Sequence, residues 1–350
     1  MDILSKIGSG VQGATLEQGN NEANRLKFVD LFCGCGGMSL GLQMAGMEGV
    51  ASVEFDAMAC KTYRKNFDHS VVDGDITLAD TKQKLYDIIY GREVDVVCGG
   101  FPCQGFSTSG KRIADDPRNR LFYEFVDVVR RVRPKVVIGE NVNGILTMQK
   151  GEVVNTIIKE FEALGYTMDV KVLKAADYGV PQLRERVIFI GNRIGTFNSY
   201  PAPRFSVNQY ISVREAIADL VGKPESIELS HVFAKHGAKM KARMAALKEG
   251  EGLYKNRKDS CRKLFWDKPS PTVKDNHGNC FVHPIENRSL TAREMARLQS
   301  FPDWFDFSEV ANKYQLRQIG NAVPPLMAKA IGEEIKRMID AFLSQERHSA

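Results

Sequence analysis

No apolar run in this 350-residue chain approaches the roughly 20 residues that a membrane-spanning helix needs. Met1 to Asn24 also lacks the apolar centre of a secretory leader, so the expectation is a cytoplasmic protein with no membrane contact. Cysteine is scarce and odd in number: seven residues, at positions 33, 35, 60, 98, 103, 261 and 280. Such a set argues against a disulfide framework and for reduced thiols. Cys33 and Cys35 lie too close for a usual zinc pair, and no second pair completes a site, so no metal is expected. Strong charge of one sign is missing too. The formal net charge of +5 suits a phosphate-backbone partner but falls short of a protein that coats nucleic acid. Internal repeats and low-complexity tracts are absent. What remains, 43% hydrophobic and 26% charged residues, describes a globular chain of one large domain or two unequal ones.

Residues 1–26 are polar and glycine-rich and read as a loose arm. From Lys27, short apolar runs alternate with helical periodicity. Phe28 to Phe32, Val50 to Glu54, Val94 to Cys98, Val136 to Gly139 and Val187 to Ile190 read as buried strands. Ser39 to Met47, Met58 to Asn66, Leu121 to Val132 and Val153 to Leu164 read as helices. The alternation predicts an α/β domain on a mostly parallel sheet with helices on both faces, over 27–193. The stretch 196–203 is a linker, and 194–287, which loses the alternation, is a smaller second domain. Helix returns at Thr291, where Thr-Ala-Arg-Glu294 has the form of a capping box, and again from Pro324 to Leu343. The segment 288–350 is expected to return to the first domain.

The first strand runs into Cys33-Gly-Cys-Gly-Gly-Met-Ser-Leu-Gly41, a glycine-rich turn that lets backbone approach a ligand before a helix begins. Glu54, about twenty residues on, stands where an acid holds ribose hydroxyls. The turn fits Gly-x-Gly-x-x-Gly poorly, which disfavours a nicotinamide cofactor. Asp73-Gly-Asp75-Ile76 adds an acidic turn able to accept from an adenine amino group. Acids around an adenosyl group suit a cationic sulfonium cofactor better than a pyrophosphate. The plainer alternative is a tight turn beside a solvated strand end. Cys103 follows Pro102 on a loop after another strand. There it can serve as a nucleophile if its thiolate is stabilised, or be a packed small residue.

The stretches Asp30-Leu-Phe-Cys-Gly-Cys-Gly-Gly37, Phe101-Pro-Cys-Gln104, Glu140-Asn-Val142, Gln182-Leu-Arg-Glu-Arg186 and Gln318-Ile-Gly-Asn321 resemble the ordered motifs of the cytosine-C5 DNA methyltransferase family. The resemblance runs from about Lys27 to Pro325. It implies a Rossmann-like class I fold, S-adenosylmethionine as cofactor, duplex DNA as partner, and a smaller target-recognition domain over 194–287. Cys103 would add to cytosine C6, because C5 is too weak a nucleophile until the ring becomes enamine-like. Glu140 would share a proton at N3. Arg184 and Arg186 are expected to point to opposite faces, one to the ring O2 and the other bracing backbone or the catalytic loop, with Arg186 favoured for O2.

Cofactor contacts are implied at Phe32, Gly34, Gly36, Gly37, Leu40, Glu54, Phe55, Asp75, Ile76, Pro102, Leu121, Asn321 and Ala322. Substrate contacts are implied at Phe101, Gln104, Ser107, Asn141, Val142 and Thr272. Pro271-Thr272-Val273 resembles the family's dipeptide that supports the flipped nucleotide's phosphate. The loop Ser107 to Arg118, with Lys111, Arg112 and Arg118, would close over a flipped base. Lys235, Lys239, Lys241, Arg243, Lys255, Arg257, Lys258, Arg262 and Lys263 would face DNA. A monomer acting beside a companion restriction endonuclease completes the expectation. An RNA methyltransferase of the same fold, a silent DNA-binding relative and a Rossmann oxidoreductase are the alternatives.

Overall fold

The computed structural model describes residues 25–102, 120–254, 261–274 and 281–349. Seven strands, β1 (Lys27–Leu31), β2 (Glu48–Glu54), β3 (Ser70–Asp73), β4 (Val96–Gly99), β5 (Val136–Val142), β6 (Thr167–Lys174) and β7 (Glu185–Asn192), form one sheet in the order β3-β2-β1-β4-β5-β7-β6. β1 to β5 pair in parallel, and β7 is antiparallel to both β5 and β6. The helices among them are α1 (Gly37–Met44), α2 (Ala57–Asn66), α3 (Ala79–Ile89), α4 (Arg120–Val132) and α5 (Glu152–Glu162). Beyond the sheet come α6 (Val213–Ile217), α7 (Ala238–Ala246), α8 (Ala292–Leu298), α9 (Asn312–Asn321) and α10 (Pro325–Ser349). The mixed α/β sheet with helices agrees with the expected fold class.

Two-residue alternation explains why helices cover both faces. Val29, Leu31, Val97, Val137, Val187 and Phe189 point to one side, where they meet Phe122 and Phe125 of α4 and Phe161 of α5. Phe28, Val96, Val136, Ile138, Ile188 and Ile190 point to the other, against Leu42 of α1 and Met327 and Ile331 of α10. A fully buried side chain such as Ile331 contributes about 2 kcal/mol by leaving water. α1 and α10 pack closely because Gly41 has no side chain: a Cβ there would lie 2.3 Å from Ala328 Cβ.

Every expected strand is present with shifted ends, and Thr291 caps α8 as expected, with its hydroxyl accepting from Glu294 N and the Glu294 carboxylate accepting from Thr291 N. β3, β6, α3 and α9 were not anticipated. β3 has only four residues, and β6 is an edge strand whose exposed positions Thr167, Asp169, Lys171 and Val172 dilute its apolar signal. α3 buries only Thr81 and Leu85. Between Arg193 and Thr291 the described residues pair only through isolated bridges, such as Gln182 with Ser270 and Lys263 with Val282, and carry the short helices α6 and α7. No helix among the described residues is long and apolar enough to cross a membrane.

Candidate active site

β1 has β2 on one side and β4 on the other, so the chain changes direction across the sheet at β1 and opens a crevice beyond the strand ends. A cleft of about 470 Å³ occupies this position, lined from three parts of the chain: the turn after β1, the ends of β2, β4 and β5, and α9. On the β1 side the backbone turns sharply, with φ of 60° at Phe32 and 55° at Gly34. The Gly34 amide donates to Glu54 Oε2 at 2.8 Å, and the Phe55 and Asp56 amides donate to Oε1 at 3.0 and 2.8 Å. Burial raises the Glu54 pKa and these amides oppose it, so the carboxylate is held in one place with lone pairs left for a ligand. Phe55 lies beside it with 70% of its surface exposed, a flat apolar face open to the cleft.

Asp30 also borders the cleft and is almost fully buried. Ser39 Oγ donates to its Oδ2 at 2.6 Å, the Tyr63 hydroxyl donates to Ser39 at 2.7 Å, and His69 Nε2 lies 2.6 Å from Tyr63. Burial pushes Asp30 up to about 7, against the hydrogen bonds from Ser39 and Cys98. Burial also lowers His69 to about 4, which keeps its ring neutral. The thiols of Cys33, Cys35, Cys60 and Cys98 are raised by burial first, Cys35 and Cys60 to about 12, so none is a thiolate at neutral pH.

Across the cleft, Glu140 near the end of β5 receives Arg186 Nε at 2.9 Å from β7, where Glu140 pairs with Ile188 and Val142 with Arg186. Glu140 Oε2 would lie 3.2 Å from a Cβ on Gly100, so the glycine leaves this carboxylate room next to the segment that leads to Pro102. Asn141 ties the two together, donating from Nδ2 to Phe101 O at 2.8 Å and accepting at Oδ1 from Val142 N at 2.9 Å. Burial lowers the Arg186 pKa, and Glu140 opposes the change.

Of the expected cofactor residues, Phe32, Gly34, Glu54, Phe55, Pro102, Asn321 and Ala322 line the cleft. Gly36, Gly37 and Leu40 are not part of its lining, and packing surrounds all three. A Cβ on Gly36 would strike the Phe67 ring at 2.3 Å, one on Gly37 would lie 2.2 Å from Val323 O, and Leu40 is 2% exposed in a core with Tyr63 and Phe67. Ile76 and Leu121 pack on the core beneath α4, and exposed Asp75 caps its own turn by accepting from Thr77 N. All three stand outside the cleft lining, although β3 ends beside it through a Gly74 N to Glu54 O bond of 2.9 Å.

The expected catalytic Glu140 and, among the substrate residues, Asn141 and Val142 border the cleft, Val142 with 48% of its surface exposed. Phe101 also borders it, but its ring is 2% exposed among Phe122, Phe125 and Phe189, which makes it a core aromatic. The two ends of Asn141 are taken by backbone, which makes it a brace. The expectation that Arg184 and Arg186 face opposite ways fails, because residues two apart in extended chain share a side. Depth separates them instead. Arg184 is 1% exposed and its Nη1 donates to Val273 O at 2.9 Å and Gly320 O at 3.2 Å. Burial and then Arg186 lower it to about 9. Arg184 therefore braces backbone, outside the cleft lining.

Thr272 lies in a separate groove with Lys174, Lys268 and Lys274. Cys103, Gln104, Ser107, Lys111, Arg112, Arg118, Lys255, Arg257, Lys258 and Cys280 lie outside the described residues. Asp30 and Gln318 went unassigned in the sequence although both sit in quoted motifs. Gln318 is 7% exposed, lines the cleft, and has no partner at either side-chain amide atom. His283, Glu286 and Glu294 gather elsewhere, but Arg288 pairs with both carboxylates and so occupies the place of a cation.

Residues 26–337 match the family described as C-5 cytosine-specific DNA methylase. The type II methyltransferase M1.HphI of Haemophilus parahaemolyticus is 43% identical over 331 residues, covering 89% of this chain and 87% of its own. M.DdeI of Desulfomicrobium norvegicum is 36% identical, covering 89% and 88%. Among solved structures, a DNA modification methyltransferase encoded within an E. coli prophage superposes with a TM-score of 0.76 at 28% identity, over 90% of this chain and 99% of that one. The S. pombe Dnmt2 methyltransferase shares the fold, with a TM-score of 0.57 at 17% identity over 91% and 99%. With the family's match running through almost the whole chain and such relatives spanning nearly their full lengths, this protein belongs to the C-5 cytosine-specific DNA methylases and is a DNA cytosine-C5 methyltransferase.

Proposed function

We propose that the protein methylates C5 of a cytosine flipped out of duplex DNA, at a defined sequence, through a covalent bond between Cys103 and C6. The observation that carries this reading is the Glu140–Arg186 pair at 2.9 Å, which faces the segment leading to Cys103 across the same cleft that Glu54 borders.

The cleft suits S-adenosylmethionine. Glu54 offers anchored lone pairs to ribose hydroxyls, and Phe55 offers a face to adenine. The unpartnered Gln318 amide, with Asn321 and Ala322, offers donors and acceptors to the amino-acid end. An acidic lining also suits a cation. When bound, the cofactor supplies an electrophilic methyl group.

Glu140 shares a proton with cytosine N3 while Arg186 Nε fixes its Oε1. Arg186 Nη1 donates to Glu185 O at 2.7 Å, which leaves Nη2 for the ring O2. With N3 neutralised, the Cys103 thiolate adds to C6 and the electron pair moves to C5, which would take the methyl group as the S–CH3 bond breaks and S-adenosylhomocysteine leaves. A base or water then removes the C5 proton, and elimination of the Cys103 thiolate restores the ring. Both ring faces must be reached, which a stacked base does not allow. Bonds from Asn141 to Phe101 O and Val142 N hold the loop's root.

Residues 194–287 form the target-recognition part, and the groove of Thr272, Lys268, Lys274 and Arg262 faces the DNA backbone. A companion endonuclease, a cytoplasmic location and a monomer complete the reading. Duplex DNA carrying 5-fluorocytosine tests it, because fluorine cannot leave as the C5 proton does. Denaturation-resistant adducts are expected with the wild type and none with Cys103→Ala, whereas an adduct on that variant overturns the assignment. Methyl incorporation into duplex DNA and not tRNA separates DNA from RNA as substrate.

A further inference from the structure

At the opposite pole of the sheet, where β4 and β5 begin and β7 ends, a second cavity of about 420 Å³ is lined by Arg92, Arg131, Arg133, Arg193, Tyr86 and Tyr90, with Glu93 and Lys135 at its side. The acids there are already engaged, since Lys135 pairs with both Glu93 and Asp95. Among the described residues no carboxylate pairs with any of the four arginines. Two of them are partly compensated by backbone: Arg193 donates from Nε to Arg133 O and Pro134 O, both at 2.9 Å, and Arg133 Nη1 donates to Leu164 O at 2.8 Å. These bonds fix the two guanidiniums in place and leave further N–H groups open. Arg92 has no such anchor. Arg131 stacks at 4.0 Å over the Tyr86 ring. The Tyr86 hydroxyl is buried without a partner, and Tyr90 stands 88% exposed beside it.

The four exposed guanidiniums, with no carboxylate partner among the described residues, form a patch that attracts anions, and planar N–H forks interleaved with aromatic rings match a nucleic-acid backbone. We propose that this cavity is a second phosphate site that holds a DNA segment other than the one in the catalytic cleft. β1, β4 and β5 are five, four and seven residues long, so at about 3.3 Å per residue the two poles stand on the order of 15–20 Å apart. The inference rests on duplex DNA being the substrate, and its role is to keep the enzyme on DNA while the cleft changes sites.

The test uses the full chain with Arg92→Gln/Arg131→Gln, and separately Tyr86→Phe, which removes only the unpartnered hydroxyl and so leaves folding unchanged even if the double variant fails to fold. Complexes with short duplexes are weighed at low salt, and the affinity of the second duplex is followed against salt. Expected are two duplexes per wild-type chain, with the second held at least about tenfold more weakly by the double variant. The slope of log affinity against log salt for the second duplex falls by about 1 to 2, Tyr86→Phe weakens that duplex several-fold, and methyl transfer on a short duplex is unchanged in all. Equal second-duplex binding by the wild type and both variants overturns the proposal. Thermal stabilisation of the wild type by inorganic pyrophosphate, with no second duplex bound, overturns it in favour of a small phosphate ligand. Loss of methyl transfer by the wild type itself would instead strike the catalytic reading.

Discussion

Replacing Arg184 with methionine tests whether a buried cation braces the site from behind. The wild-type guanidinium joins the start of β7 to two other segments through Val273 O at 2.9 Å and Gly320 O at 3.2 Å. Hydrogen bonds to a charged group contribute about 1.5–3 kcal/mol each, so the pair is worth about 3–6 kcal/mol gross. Against this stands the cost of burying the charge near Arg186, visible in the fall of its pKa from 12.5 to about 9, about 5 kcal/mol at most. Those two terms nearly cancel, and methionine keeps most of the packing volume. The sign is decided by the two carbonyls left behind, which methionine cannot satisfy and which cost about 1–3 kcal/mol each. Arg184→Met should therefore lose about 2–6 kcal/mol, read as a lower urea midpoint by far-UV circular dichroism. Methyl transfer should fall with it, since Gly320 lies in the helix that carries Gln318 into the cleft. A variant with unchanged urea midpoint and full turnover would refute the bracing role.

Glu54→Gln should weaken S-adenosylmethionine binding at least tenfold by calorimetry, because an amide cannot accept from Gly34, Phe55 and Asp56 together; unchanged affinity would contradict the assignment. Gly37→Ala should destabilise the chain by about 1–3 kcal/mol, since its Cβ would lie 2.2 Å from Val323 O; an unchanged melting temperature would show that the contact yields freely. Asp30, raised to about 7 by burial, keeps in the folded chain a proton that the unfolded chain releases near pH 4. Its stabilisation is full below about pH 4 and lost as pH rises through about 7, by at most about 4 kcal/mol. Ligand-free Asp30→Asn should lack this loss, and parallel urea-midpoint profiles for the two proteins between pH 4 and 8 would refute the shift.

The central strands of the sheet were legible because Val136 to Gly139 and Val187 to Ile190 are continuous apolar runs and Phe28 to Phe32 is broken only by Asp30, as strands buried on both faces must be. β6 was not, because an edge strand alternates with solvent and carries Asp169 and Lys171. Residue type and position at strand ends singled out Glu54 and Glu140, and both border the cleft. Gly36 and Gly37 show why sequence leaves the choice open: a glycine required for helix packing looks the same in sequence as one required for a ligand. Only the positions of Phe67 and Val323 tell them apart. Asp30 and Gln318 escaped because burial gives them their character, Asp30 through Ser39 and Tyr63, Gln318 through the absence of any partner. The arginine pair was misjudged because residues two apart in extended chain share a side, and the difference in depth that does separate them is set by the fold.

Bisulfite sequencing of DNA from cells that express the chain measures the central claim most directly. The wild type should protect cytosines in one short sequence context, and Cys103→Ser and Glu140→Gln should protect none or very few. Protection by Cys103→Ser equal to the wild type, or no protected context with the folded wild type, would contradict it.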